Sequence, residues 1–159
     1  NDNIEYQYFL KFAEDYAHLK PYRTEWIVFY EEMRLAGSID MVFEDDQGDL
    51  WIYDWKRTQE LNPEAFGNKT SITPCIQHLP DSKFWHYSLQ LNIYRGILER
   101  KYGKTIKGMC LVRLHPDNVY KTYERIVVPF LDEEVENLFA YRQELLVKEA
   151  EKDVKKQYK

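Results

Sequence analysis

Apolar residues near the start of the chain fall at helical spacing. Residues 4–19, rich in Tyr, Phe and Leu with acids between them, read as an amphipathic helix that Pro21 ends. The period then shortens to two. Residues 23–30 read as a strand with Trp26, Val28 and Tyr30 on one face, and residues 31–34 as a turn. Residues 36–44 (AGSIDMVFE) and 50–56 (LWIYDWK) read as two more strands, joined by the turn-rich Asp45-Asp46-Gln47-Gly48-Asp49. Residues 57–81 carry Pro63, Gly67, Pro74 and Pro80 and little periodicity, so they read as one long loop. Ser82 is a fitting N-cap for a helix reaching about Tyr102, whose stripe is Phe84, Tyr87, Leu91, Tyr94, Leu98 and Tyr102, with Gly103 as its stop. Strands over residues 108–114 and 120–128 and a helix over residues 131–149 complete the order α-β-β-β-α-β-(β)-α. Residues 150–159 are almost all charged and read as a helix end or tail in solvent.

Composition narrows the class. A chain of 159 residues with 44% apolar and 16% aromatic content suits one folded domain, residues 1–159, with a core of its own. The chain begins with Asn1, so it is read as a domain excised from a longer protein. Two cysteines, Cys75 and Cys110, make no disulfide framework and fit a reducing intracellular compartment: cytoplasm, nucleus or organelle matrix. No apolar run has the length of a membrane span, and no signal-peptide pattern is present. The net charge of −5 argues against a protein that holds nucleic acid by bulk electrostatics alone. A bound divalent cation would supply positive charge locally.

The candidate chemistry lies in residues 36–58. Alternation puts Leu50, Ile52, Asp54 and Lys56 on one face of their strand and Trp51, Tyr53 and Trp55 on the other. If the loop holds five residues, Glu44 faces Leu50, Val42 faces Ile52 and Asp40 faces Asp54. A four-residue loop would instead oppose Asp40 to Tyr53 and dissolve the pair. Two carboxylates facing each other repel, and a hard, oxygen-seeking cation such as Mg²⁺ or Mn²⁺ is the natural compensation. Acid-x-Lys alone is cheap: Asp81-Ser-Lys83, Glu99-Arg-Lys101 and Asp153-Val-Lys155 share it, without a facing acid on a neighbouring strand.

At these residues the chain resembles the PD-(D/E)XK nuclease superfamily. Gly37-Ser-Ile-Asp40 and Ile52-Tyr-Asp54-Trp-Lys56 match its G-x-I-D and (I/V)-x-(D/E)-x-K signatures. Gln90-Leu-Asn-Ile-Tyr94, on the next helix, matches the Q-x-x-x-Y motif of the RecB-like branch, to which lambda exonuclease is related. The resemblance implies an α/β (α+β) restriction-endonuclease-like core, a central mixed sheet flanked by helices. It implies a metal-dependent deoxyribonuclease, an end-processing exonuclease that acts on single-stranded or duplex DNA ends, in association with or fused to a helicase or primase.

By that resemblance Asp40, Asp54 and the backbone carbonyl of Trp55 would ligate one or two Mg²⁺ or Mn²⁺ ions, and Lys56 would orient the attacking water. Gln90 and Tyr94 would serve the site or touch the DNA backbone. Glu25, His18 or Glu14 would supply the further ligand many relatives take from the first helix or strand. Arg57 and Lys69 are candidate nucleic-acid contacts, with Phe66, Trp85 and His86 as candidate base-stacking residues. The four-cysteine pattern of an iron–sulfur cluster is missing, so none is expected. The rival functions are an inactive nuclease-fold binding module, an RNA endonuclease of the same fold, and a plain structural domain whose hairpin acids are solvated.

Overall fold

The structure, a computed structural model, describes residues 3–63, 70 and 73–158. Helix α1 (Ile4–Asp15) opens under an Asn3 cap, whose side chain accepts from the Glu5 amide at 3.0 Å. Strands β1 (Lys20–Tyr30), β2 (Leu35–Glu44) and β3 (Leu50–Lys56) follow, then α2 (Lys83–Lys101), β4 (Ile106–Arg113), β5 (Glu124–Val127) and α3 (Asp132–Gln157). The strands form one sheet in the order β1-β2-β3-β4-β5. β3 and β4 run parallel and the other neighbours antiparallel, so the sheet is mixed, with α2 as the crossover that parallel strands need.

Several boundaries differ from the sequence reading: β4 starts at Ile106 rather than 108, and β5 is confined to Glu124–Val127 within the expected 120–128. α1 stops at Asp15, before the expected 19, and Pro21 lies inside β1 opposite Phe43. β1 is an edge strand, where proline is tolerated, and a bulge follows between Pro21 and Arg23. α3 runs on to Gln157, past the expected 149, although its fully buried residues, Val135 and Phe139, lie in its first third. Its first turn holds Asp132, Glu133 and Glu134 and its last turn Lys155 and Lys156, charges that favour both ends of a long solvated helix. No described helix is long and apolar enough to cross a membrane.

The sheet separates two cores. Ile52, Met109 and Leu111 face the larger one, closed by Leu91, Ile97 and Leu98 of α2 and by Val135 and Phe139 of α3. Tyr53, Cys110 and Val112 face the smaller one, closed by Tyr8 and Phe12 of α1, with Trp51 and Trp55 packed against it. The alternation read along β3 is therefore the division between the two layers. The long segment after β3 is partly packed as well: Leu61 joins the larger core, and Ile76 and Leu79 cluster with Leu131.

Phe12 is the pin of the smaller core. Its ring meets those of Tyr16, Phe43, Tyr53, Trp55 and Tyr123 at centroid distances of 4.9–6.3 Å. It thus buttresses from behind the strand that carries Asp54 and Lys56. Phe12→Ala is expected to cost about 3–5 kcal/mol in urea unfolding. A loss below about 1 kcal/mol would mean that α1 does not dock through this ring.

Candidate active site

The geometry of the site begins at the turn between β2 and β3. Asp45 Oδ1 accepts from the amides of Gln47 (3.0 Å) and Asp49 (2.9 Å), and Oδ2 accepts from Trp51 Nε1 (2.9 Å). Gly48 supplies the left-handed residue, with φ of 79°. One carboxylate thus ties down a five-residue loop, and the register that results is Glu44↔Leu50, Phe43↔Trp51, Val42↔Ile52 and Met41↔Tyr53. The four-residue alternative is not the one formed.

The ladder stops there. The next pair would be Asp40 with Asp54, but Asp40 turns its carboxylate along the gap and Oδ2 accepts from the Trp55 amide at 3.1 Å. Ile39 and Val42 both enter the larger core although they are three residues apart, so strict alternation is broken around Asp40. Across from this break, between the pairs Thr24↔Met41 and Trp26↔Ile39, lies Glu25 with a φ of 45°. The irregularity on two neighbouring strands turns Asp40 toward Asp54.

Asp54 is only 5% exposed and lies on the α2 side of the sheet. Lys56 Nζ sits 2.6 Å from Asp54 Oδ2, a close ion pair at an oxygen shut off from solvent. Burial is the main force pushing the Asp54 carboxyl up to about 7. The adjacent Asp40 carboxylate pushes the same way, and Lys56 opposes them without winning. The Lys56 ammonium also lies over the Tyr87 ring, 4.1 Å from its centroid.

α2 closes the site from above. Tyr94 brings its hydroxyl close to the backbone of Ser38, and burial and then the Asp54 charge raise its phenol above the usual range. Its ring fills the space over Gly37, where a Cβ would come within 2.3 Å of Tyr94 Cε1. The glycine of Gly37-Ser-Ile-Asp40 is thereby explained by packing against the tyrosine of the helix. Gln90, one turn earlier, is exposed in a groove of about 300 Å³ that it shares with Ala36, His86 and Tyr94.

Other sequence candidates lie elsewhere. His18 is on the α1 side of the sheet, with its ring beside Tyr16, in a cavity shared with Trp51 and Arg125. Arg57 follows Lys56 and so points to the opposite face, where it pairs with Glu5 of α1 at 2.5 Å. Glu14 is exposed on α1 beside Lys11. Glu25 is exposed, with no hydrogen bond or ion pair to Asp40, Asp54 or Lys56. Phe84 is buried in the larger core, Trp85 donates its indole N–H to the Pro63 carbonyl at 2.8 Å, and His86 pairs with Asp81. Lys69 and Phe66 lie outside the described residues. In the sequence Tyr87 stands only as part of an apolar stripe. Its signal was its spacing, seven residues before Tyr94 on the same helix face.

The donor set fits a hard cation. Asp40 and Asp54 converge, one buried Asp54 oxygen meets the Lys56 ammonium, and Trp55 turns its amide toward Asp40. In an extended strand the carbonyl of a residue points to the same edge as its N–H, so the Trp55 carbonyl also faces the gap. Among the described residues no group of three or more His, Cys, Asp or Glu side chains gathers. A set of two carboxylates and a carbonyl suits an ion that keeps several waters, such as Mg²⁺.

A model of the PD-(D/E)XK nuclease superfamily matches residues 4–158 of the chain. No curated protein matches it.

The raised Asp54 carboxyl sets a sign for stability. Between about pH 4 and pH 7 the folded state holds a proton that the unfolded state has released, so the metal-free protein loses stability as pH rises through this window. Asp54→Asn is expected to raise stability at pH 8 in EDTA by on the order of 2 kcal/mol and to leave it nearly unchanged at pH 4. Equal effects at both pH values in thermal unfolding would contradict the burial of a charge at this position.

Proposed function

Because the chain belongs to the PD-(D/E)XK nuclease superfamily, we propose that it hydrolyses DNA phosphodiester bonds at a site built from Asp40, Asp54 and Lys56. The observation that carries this reading is the buried Asp54 carboxyl, pressed against a second carboxylate and an ammonium group. A purely structural sheet would gain by replacing such a cluster with apolar side chains. Retaining it makes sense where a cation completes it.

Asp40, Asp54 and the Trp55 carbonyl would hold Mg²⁺ or Mn²⁺, which when bound supplies Lewis-acid charge to the phosphoryl group under attack. Lys56 lies beside the two acids, offsets part of their repulsion, and presents its amino group to the incoming phosphate and its attacking water. Tyr94 acts through packing: it holds Gly37 and Ser38, and with them the approach of β2 to Asp40. Gln90 stands exposed at the groove rim, where its amide can meet a sugar or phosphate of the bound strand. Of the acids considered as a further ligand, Glu25 has the best claim, since its strand position lies across from Asp40. The Gln90–Tyr94 pair on α2 is the feature that favours action on DNA ends. The acidic chain then relies on the ion and on Lys56 for its attraction to phosphate.

The test is cleavage of linear and circular DNA, single- and double-stranded, and of RNA, in Mg²⁺, Mn²⁺ and EDTA. Wild type is expected to degrade linear DNA in either metal and to stop in EDTA. Asp54→Ala and Lys56→Ala are expected to lose about a hundredfold or more in rate. Activity that persists in chelator, or in either variant, would overturn the mechanism. Cleavage of RNA alone would move the substrate.

A further inference from the structure

Lys56 makes two contacts, and only one of them survives when Asp54 is engaged elsewhere. Its Nζ lies 2.6 Å from Asp54 Oδ2 and 4.1 Å from the centroid of the Tyr87 ring. A cation that draws on this Asp54 oxygen competes with the ammonium for it. The ammonium then needs another seat within reach of its stem, because its side chain is only 19% exposed. A third carboxylate there would itself compete for the cation. An aromatic face attracts an ammonium through its quadrupole and offers a hard metal nothing.

We propose that Tyr87 is a positioning residue, a neutral aromatic seat that keeps the Lys56 ammonium at the site while Asp54 is occupied. This inference rests on the nuclease reading for its purpose, but the contact itself does not. Tyr87 lies on the first turns of α2, a helix held by the Ser82 cap and by the packing of Phe84 and Leu91, so the ring has a fixed place over β3. What the seat uses is the π face. Phenylalanine should therefore serve, and a flexible apolar side chain of similar length should not.

Three variants and two readouts test it. In the wild type and in Tyr87→Phe, the ring current should shift the Lys56 side-chain Cε protons upfield in NMR spectra. The shift should vanish in Tyr87→Leu and Tyr87→Met. In cleavage assays, Tyr87→Phe should stay within about twofold of wild type, while Tyr87→Leu and Tyr87→Met should lose about tenfold in kcat with little change in KM. Met stands in if Leu fails to fold. Missing upfield shifts in the wild type, full activity in Leu and Met, or equal damage in Phe would each overturn the proposal. If the wild type cleaves no nucleic acid in any metal, the nuclease reading falls, and the proton shifts still decide whether the ring seats the lysine.

Discussion

Two carboxylates pressed together in a nearly dry place govern the arrangement of this protein. Asp40 and Asp54 come close enough to interact directly, and Asp54 is buried under α2. Their mutual repulsion, only partly met by Lys56, is relieved by a proton on Asp54 up to about pH 7 and stands as a cost above it. Around them the strands are held from several sides. Phe12 and its five ring partners hold β3 from behind, Asp45 clamps the turn that fixes its register, and Tyr94 presses β2 from above through Gly37. Much of the fold works to hold in place a charge arrangement that would otherwise relax.

The hairpin explains how a small sheet does this. Regular pairing runs from Glu44↔Leu50 to Met41↔Tyr53 and then stops, where Asp40 would meet Asp54. On its other edge β3 stays locked to β4 through Asp54↔Leu111, Trp55↔Val112 and Lys56↔Arg113. The strand is thus anchored on one side and open on the other at the same residues. A fully open strand would wander, and a fully paired one would have no main-chain groups to spare.

Much of this was readable in the chain. The alternation of Trp51, Tyr53 and Trp55 against Ile52, Asp54 and Lys56 told the two layers apart, and the turn residues of Asp45 to Asp49 allowed the correct register. Where reading failed, tertiary context had overruled a local signal. Pro21 reads as a helix stop, yet an edge strand accepts it. Nothing between Tyr16 and Leu19 marks the true end of α1. Arg57 next to Lys56 looks like a second phosphate contact, but the one-residue step turns it to Glu5. His18 precedes Asp40 at a plausible interval on the wrong side of the sheet. Tyr87 escaped because an apolar stripe and a cation seat are written with the same letter. The positive φ of Glu25, which breaks the regular pleat across from Asp40, has no signature in residue type.

The open edge of β3 has a further consequence. A ligand drawn from a side chain can be lost by one codon change. The Trp55 carbonyl, proposed here as a ligand, belongs to the main chain, and any amino acid at position 55 would carry it. To withdraw it, the protein would have to zip β2 onto β3 beyond Met41↔Tyr53, consuming the oxygen in an ordinary ladder bond. Silencing such a centre by repairing its sheet would require Asp40 to give up the Trp55 amide first, so the acid that repels its neighbour also wedges the strands apart.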